Sequence, residues 1–329
     1  MRLRRPLALL STVAAATLIL AGCAGSPEAG GSPSPSPSSS SGCMLNTKPG
    51  AGSDAVKVDG SGLDAKITVP KDTKISEVER TVVKKGDGKE IKPGDFVSAR
   101  YQLVDAETGE VLDTSKRGPE GVLPLLLNPN QQQQISDFTQ SSIFVVAAEC
   151  VPVGSEVVLT IPASRLGEGA HSVALYVQTL EKLPTTATGK EVLASSGDLA
   201  TVKLGKDGAP TITVPKTAAP TETTISVLKQ GDGPVVGSGD LVTIQYRGVK
   251  WSDGKEFDSS WGRAAFPSQF ATTQVVSGFG KALEGQKVGS QILAEIPPKD
   301  GYGASKGHEL EKETLVFVID ILGTTPAEK

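Results

Sequence analysis

A long internal repeat is the feature of this sequence that most constrains its fold. The segment "KKGDGKEIKPGDFVSARYQL" from Lys84 aligns with "KQGDGPVVGSGDLVTIQYRG" from Lys229 at a shift of 145 residues, and "ITVPK" recurs at the same shift. Further on, "VPVGSEVVLTIP" from Val151 matches "QKVGSQILAEIP" from Gln286 at a shift of 135, so the first copy holds ten extra residues, expected within "GPEGVLPLLLNPNQQQQ". A period this long indicates two tandem domains rather than a solenoid of short repeats.

Each copy shows the pattern of β-strands separated by glycine turns. In the second copy "DLVTIQYRGVK" and "QILAEIP" alternate apolar and polar residues, and "TLVFVIDIL" is a longer apolar run typical of a central strand. The one good helix candidate is short, around residues 278–285, where Phe279 and Leu283 share a face. Antiparallel strands wrapped on one short helix predict an α+β fold with two domains, over residues 55–184 and 200–329.

The N-terminal residues have the features of an export signal. Arginines near the start precede an apolar run over residues 7–20, which is too short to span a bilayer comfortably. The run ends in "LAGC", which resembles the bacterial lipobox. We therefore expect removal of residues 1–22 and acylation of Cys23; a plain secretion signal is the alternative. Residues 23–54 are expected to form a disordered Ser/Pro-rich tether, anchored by lipid on the extracellular or periplasmic side of the cell membrane.

Composition limits the partners and cofactors. The formal net charge is −4 with charges interspersed, so we expect no nucleic-acid partner. Neither of the two histidines, His171 and His308, stands at metal-ligand spacing, and we expect no metal and no other cofactor. Cys43 and Cys150 are the thiols left once Cys23 is acylated. In an oxidising compartment they can form a disulfide, and two free thiols are the alternative.

Five segments of the second copy together carry a family resemblance. They are "VLKQGDG", "YRGVKWSDGKEFDSSWGR", "VVSGFGKALEGQKVGS", "IPPKDGYG" and "TLVFVIDIL", within residues 225–323. In this order and spacing they resemble the FKBP-type peptidyl-prolyl cis/trans isomerases. The resemblance implies a tandem-domain bacterial lipoprotein form of that family, with a twisted antiparallel sheet curved around one short helix in each domain. It also implies a pocket for proline-containing unfolded or extended polypeptides, and leaves a macrolide open as a further ligand.

The resemblance also implies which residues form the pocket. Those implied to act in catalysis are Tyr246, Phe257, Asp258, Tyr302 and Phe317. Those implied to contact the substrate are Arg263, Phe266, Val275, Val276 and Phe279. Arg263 is expected to pair with Asp258, and Phe279 stands where the family usually has Trp. The alternative is that the aromatic residues belong to an ordinary core and "DSS" to a capped turn.

The chemistry of prolyl isomerisation suits side chains of these types. An Xaa-Pro bond rotates slowly because amide resonance is lost at the twisted transition state, a barrier of ~18–20 kcal/mol. An apolar pocket can exclude water from the amide and favour the less polarised twisted form, with no nucleophile or metal. We expect Tyr302 to donate a hydrogen bond to a substrate carbonyl. Asp258 is expected near the reacting carbonyl, held there by Arg263 and Tyr246.

The first copy keeps only part of this pattern. Tyr101 and Asp113 are retained and Phe144 aligns with Phe279, whereas Leu112 replaces the aromatic and "ASRLGEG" stands in place of "PKDGYGA". We therefore expect one active site, in the second domain, which assists the folding of exported proteins. The first domain is expected to be a spacer, a partner-docking surface or a weak peptide binder. The alternative for the whole chain is a non-catalytic peptide-binding or chaperone lipoprotein.

Overall fold

The computed structural model describes most of the chain that follows the predicted tether. The described residues are 47–128, 140–192, 199–263 and 266–327. These described residues form one compact unit, which contains two large sheets of the same design. The predicted signal peptide, the lipidation site Cys23 and the predicted disulfide partner Cys43 lie outside the described residues. Within the described ranges, no helix is both long enough and apolar enough to cross a membrane.

The first domain begins with a short helix and a hairpin. Helix α1 covers Ala51–Ala55, and strands β1 and β2 cover Lys57–Asp59 and Lys66–Thr68. Six further strands form one antiparallel sheet in the order β3-β7-β8-β4-β5, with β6 also paired to β4. Their bounds are β3 Glu79–Lys84, β4 Phe96–Asp105, β5 Val111–Thr114, β6 Leu123–Leu126, β7 Glu156–Ile161 and β8 Val173–Lys182, with helix α2 at Gln140–Ala148.

The second domain repeats this plan. A short strand β9, Lys190–Glu191, precedes the hairpin of β10 Thr201–Leu204 and β11 Pro210–Thr213. The sheet has seven strands in the order β14-β13-β17-β16-β12-β9, with β15 also paired to β13. The remaining bounds are β12 Thr224–Gln230, β13 Leu241–Lys250, β14 Glu256–Ser259, β15 Ser268–Ala271, α3 Ser277–Leu283, β16 Gln291–Ile296 and β17 Leu315–Thr325.

The two sheets share their irregularities as well as their order. A β-bulge after Val82 has its counterpart after Val227, 145 residues later, and the bulge after Leu103 has its counterpart after Gly248. Bulges re-aim the strand that carries them and are specific features of a fold. The predicted α+β fold, with two similar domains that each have a twisted antiparallel sheet curved around a short helix, is therefore confirmed. The extra residues of the first copy lie between β6 and α2.

Each hairpin covers the outer face of its sheet. In the second domain Ile212 of the β10–β11 hairpin packs against Leu293, Val316 and Val318. In the first domain residues of the β1–β2 hairpin pack in the same way against Tyr176 and its neighbours on β7 and β8. The central strands β7, β16 and β17 are consequently buried on both faces.

Two buried carboxylates of the second sheet accept hydrogen bonds from the chain segments that cover it. Glu295 and Asp320 are only 1% and 3% exposed. Ala200 donates its N–H to Glu295 Oε1 at 2.7 Å, and Ala187 donates to Asp320 Oδ2 at 2.9 Å. Gln291 Nε2 donates to the other Asp320 oxygen at 2.7 Å. Burial raises the pKa of Asp320, and these two donors oppose the shift. Residues 187–192, which precede the predicted domain boundary at residue 200, therefore pack on the second domain.

Residues 47–54, which the sequence assigned to the disordered tether, have a defined structure. Residues 47–54 pack on the first domain because their backbone is hydrogen-bonded. Glu79 Oε2 accepts the N–H groups of Gly52 and Ser53 at 2.7 and 2.9 Å, and both residues are buried. Small residues that carry no apolar bulk are thus ordered by one carboxylate, which corrects the predicted disorder at this end of the tether.

Cys150, which follows α2, is disulfide-bonded. A free Cys150 thiol, the alternative drawn from the sequence, is therefore not what the structure shows. The predicted partner Cys43 lies outside the described residues, so the Cys43–Cys150 pairing stays a prediction.

Candidate active site

Aromatic rings line the concave side of the second sheet, opposite α3. Phe317 lies among them: its ring centroid is 5.4 Å from Phe257, 4.8 Å from Phe279 and 6.3 Å from Tyr246. The contacts with Phe257 and Phe279 are edge-on, an arrangement favoured by the ring quadrupoles. Tyr246, Phe279 and Phe317 are buried, whereas Phe257 is half-buried at the edge of the cluster. The structure thus brings four of the predicted aromatic residues together.

Three further predicted residues pack on this cluster. Val275, Val276 and Tyr302 are partly buried and contact its core. The Tyr302 ring stacks on His308, with centroids 4.1 Å apart and planes 3° apart. Leu310 in turn donates its N–H to His308 Nδ1 at 3.1 Å, which fixes the imidazole against the loop. The chain between β16 and β17 therefore orients the Tyr302 ring at the mouth of the pocket.

A charged group closes the other side of the pocket. The Tyr246 hydroxyl donates to Asp258 Oδ2 at 2.5 Å and accepts from Arg263 Nη2 at 2.7 Å, while Arg263 Nη1 also donates to Asp258. Burial, and then the hydrogen bond to Asp258, raise the pKa of Tyr246 to about 12. The phenol therefore stays protonated at neutral pH. Nowhere in the described ranges do three His, Cys, Asp or Glu side chains come together as a metal would require.

The structure corrects one predicted substrate contact and adds a residue. Phe266 does not join the aromatic cluster but packs against Phe96, Leu126 and Leu322, at the contact between the two domains. Its predicted place beside the pocket is taken by Phe270 on β15. The Phe270 ring lies 6.0 Å from Tyr246 and 6.4 Å from Phe279 between centroids. Phe270 rather than Phe266 lies beside the pocket because β15 pairs with β13, with Phe270 opposite Val242.

Gly248 on β13 is a second residue that sequence reasoning missed. A Cβ atom at this position would lie 2.7 Å from Phe257 Cζ and 2.7 Å from Phe317 Cε1. Real Cβ atoms do not approach so closely, so the two rings can meet only because this residue has no side chain. The signal was present in the repeat, where "YRG" of the second copy aligns with "YQL" of the first.

The first domain keeps the charged group of the site. The Tyr101 hydroxyl donates to Asp113 Oδ2 at 2.8 Å, and Arg117 Nη1 donates to Asp113 Oδ1 at 2.7 Å. Phe144 packs on Tyr101 with centroids 4.5 Å apart. The sequence comparison missed Arg117 because it lies one position away from the 145-residue register of Arg263. Burial chiefly raises the pKa of Tyr101, as it does for its counterpart.

The first domain has lost the walls of the pocket. Leu103 pairs with Leu175 and with Asp113, as Gly248 pairs with Phe317 and Asp258 in the second domain. Leucines therefore stand at the positions of the glycine and of Phe317, and the exposed Leu112 stands at that of Phe257. The loop that carries Tyr302 spans residues 297–314, but its counterpart spans only 162–172 and has no tyrosine.

A sheet curved around a short helix, with an aromatic pocket and a Tyr-Asp-Arg group, defines the FKBP class of proteins. Residues 233–322 match the family model described as FKBP-type peptidyl-prolyl cis-trans isomerase. A "Probable FK506-binding protein" of Corynebacterium glutamicum is 39% identical over 114 residues, which cover 34% of this chain and 96% of the relative. An "FK506-binding protein" of Streptomyces anulatus is 38% identical over 118 residues, covering 34% and 94%. The chain belongs to the family of FKBP-type peptidyl-prolyl cis-trans isomerases.

Solved structures include similar chains. FkpA from Escherichia coli is 30% identical in sequence with a TM-score of 0.30, and the match covers 39% of this chain and 53% of the FkpA chain.

Proposed function

We propose that the second domain isomerises Xaa-Pro bonds in unfolded or extended segments of exported proteins. The observation that carries this proposal is the joining of the aromatic pocket to the Tyr246–Asp258–Arg263 group. Apolar walls on one side and one fixed carboxylate on the other form a site that binds a ring and orients an amide. The described residues of the site hold no nucleophile with an adjacent base, and prolyl isomerisation requires none.

The pocket lowers the rotation barrier by binding the twisted amide better than the planar one. Phe257, Phe279 and Phe317 receive the prolyl ring and remove water from the bond. A twisted amide is less polarised than a planar one, so it loses less hydration in this environment. Tyr302 donates to a substrate carbonyl and fixes the direction of the peptide. Asp258, oriented by two donors, lies beside the carbonyl carbon whose polarisation changes during rotation.

Separating the two domains tests which of them is catalytic. We expect a fragment of residues 184–329 to accelerate isomerisation of a Xaa-Pro peptide, and a fragment of residues 47–183 to leave the uncatalysed rate unchanged. The fragment that contains the second domain must begin near residue 184, because Ala187 donates to buried Asp320 and β9 pairs with β12. The measurement is a protease-coupled assay at equal protein concentrations.

The matched fragments control for non-specific effects of an added protein. An active site confined to the second domain would be contradicted if the fragment of residues 47–183 accelerated isomerisation. It would also be contradicted if the fragment of residues 184–329 gave no acceleration although circular dichroism showed it to be folded. FK506 is a useful competitor in this assay, since both relatives above are named for binding it. A macrolide is accordingly the second ligand class proposed for the pocket.

A non-catalytic role in peptide binding is the second candidate function, and it falls on the first domain. Its Tyr101–Asp113–Arg117 group is kept, although the leucines noted above replace the walls that desolvate the amide. Because the polar group is retained and the aromatic side chains around it are replaced, we expect the first domain to bind peptides weakly and not to isomerise them. Anisotropy of a labelled Xaa-Pro peptide distinguishes such binding from a purely structural role.

We also propose that the protein is held at the outer side of the cell membrane by lipid on Cys23. Support comes from the arginines, the apolar run and the "LAGC" sequence at the N-terminus. Cys23→Ser is expected to remove the lipid mass from the protein and to move it from the membrane fraction to the soluble fraction. Mass spectrometry and cell fractionation measure both, with Cys43→Ser as the matched control that keeps its lipid. Lipid mass on the Cys23→Ser protein would refute the anchor.

A further inference from the structure

We propose that the first domain orients the active-site turn of the second, with Phe266 as the positioning residue through which it acts. The active-site turn comprises the described residues 260–263 and 266–267, which lie between β14 and β15. It carries Arg263, which donates to Asp258 beside the Tyr246 hydroxyl. The inference goes beyond the proposed function in giving the first domain a part in catalysis, and it rests on that function for its kinetic consequence.

Phe266 is the point at which this turn meets the first domain. It packs in an interdomain cluster with Phe96, Leu126, Leu183 and Leu322. Phe96 and Leu126 come from the first sheet and are 1% and 9% exposed, so the contact excludes water. A Cβ atom added to the first-domain residue Gly94 would lie 3.8 Å from Phe266 Cε2, which places the ring directly against the turn before β4.

Hydrogen bonds connect Phe266 to the catalytic group. Phe266 donates its N–H to the carbonyl oxygen of Arg263 at 3.2 Å, and Arg263 donates its own to that of Ser260 at 3.1 Å. Ser260 is fixed in turn, because its hydroxyl accepts the N–H of Tyr246 at 2.8 Å. The turn is thus tied to β13 at one end and to the first domain at the other, with Arg263 between them.

The ion pair that the turn carries needs this support. The side chains of Arg263 and Asp258 are 53% and 41% exposed. Exposed ion pairs contribute little on their own, because solvent screens the charges and both side chains lose freedom when they pair. Burial does not fix the direction of the guanidinium here. Tyr246 holds the guanidinium itself, since Arg263 Nη2 donates to its hydroxyl at 2.7 Å and Arg263 Cζ lies 5.6 Å from the centroid of its ring. Phe266 adds an apolar contact that orders the backbone from which the Arg263 side chain extends.

In the first domain the corresponding turn is ordered by contacts within that domain. Ser115, the counterpart of Ser260, donates its hydroxyl to the carbonyl oxygen of Gly121 at 2.7 Å and so closes its turn. Leu63 lies over Gly121, where an added Cβ would be 1.8 Å from Leu63 Cδ1. In the second domain the Ser260 hydroxyl donates instead to Gln245 Oε1. The second domain therefore lacks the hydrogen bond that closes the turn of the first domain. Its turn instead contains Phe266, which packs against the first domain.

Two variants of the full chain test the contact from opposite sides. Phe266→Ala removes the anchor, and Gly323→Ala adds a Cβ 2.9 Å from Phe96 Cζ and 3.0 Å from Pro124 Cβ, which presses the domains apart. Each is expected to lower kcat/KM about three- to tenfold, as a displaced active-site group does. Phe266→Leu should keep most of the activity. Ile225→Ala, at an exposed site on β12, is the control that leaves kcat/KM unchanged.

The double variant distinguishes a specific effect on the orientation of the active-site turn from a general loss of stability in the second domain. If Phe266 acts through the interdomain contact, the Phe266→Ala/Gly323→Ala double variant loses no more activity than the stronger single variant. Backbone amide exchange supplies a readout that does not depend on catalysis. The amides of Arg263 and Phe266 should exchange faster in both single variants, while those of β16 keep their protection.

Three results would overturn the inference. They are multiplicative losses in the double variant, unchanged exchange of the turn amides in both single variants, or equal loss of protection across β16. Absence of isomerase activity in the unmodified chain would instead refute the proposed function, and the exchange data would still decide whether the first domain orders the turn.

Discussion

Gly248→Leu is expected to abolish catalysis while both domains stay folded. The new side chain would enter the space between Phe257 and Phe317, where even a Cβ atom comes within 2.7 Å of each ring. Both rings must turn away, and displacement of groups at a reaction centre by about 1 Å can cost about 100-fold. We therefore expect kcat/KM of Gly248→Leu to fall about 100-fold or more in the protease-coupled assay. Gly248→Ala is expected to have a kcat/KM between those of the unmodified chain and Gly248→Leu.

The first domain explains why the fold should survive this change. Leu103 occupies the register position of Gly248 there, paired with the counterparts of the same two neighbours. The sheet and its bulge therefore accommodate a leucine. A stability loss of about 1–3 kcal/mol is expected, as for other overpacked sites. Leu103→Ala, the matched control, should leave kcat/KM unchanged. Full activity in Gly248→Leu would place the reaction outside this pocket.

Phe257→Ala is expected to lower kcat/KM about 10- to 100-fold, which corresponds to ~1.4–2.8 kcal/mol of transition-state stabilisation. The substitution removes the half-buried ring at the edge of the pocket and its edge-on contact with Phe317. Water then reaches the bound amide, and the advantage of the less polarised twisted state declines. Stability should fall by less than the about 3–5 kcal/mol typical of a fully buried phenylalanine, as measured by denaturant unfolding.

The duplicated chain contains its own control for this variant. Leu112 stands at the position of Phe257 in the first domain and is 49% exposed. Leu112→Ala should therefore leave both kcat/KM and stability nearly unchanged. A loss of activity in Leu112→Ala, or none in Phe257→Ala, would show that the site has been assigned to the wrong domain or to the wrong wall.

The two domains share one polar group but differ in the residues that surround it. The Tyr-Asp-Arg group is present in both, so it does not by itself distinguish them. The difference lies in the wall residues and in the loop after β7 or β16. Phe317 and its counterpart Leu175 are both buried in the core of their own domain, so the two sheets pack a different apolar residue at this position.

The sequence allowed much of this architecture to be predicted because the repeat is long and its glycine turns are regular. The two domains follow from the repeat and the short helix from the spacing of its apolar residues, whereas the pocket residues were implied by the family resemblance. Phe270, by contrast, could not be separated from Phe266, since the two are four residues apart and only strand pairing decides which ring faces Tyr246. Arg117 was hidden by a one-residue change of register.

The sequence by itself determined the duplicated α+β fold and the chemistry available to each copy, since strand periodicity, turn glycines and aromatic residues are local features. Only the tertiary structure decided that each hairpin buries the outer face of its sheet, that Gly248 makes room for two rings, and that Phe266 contacts the other domain. These outcomes depend on contacts between residues far apart in the chain, and no local pattern encodes which distant atoms will fill a given space.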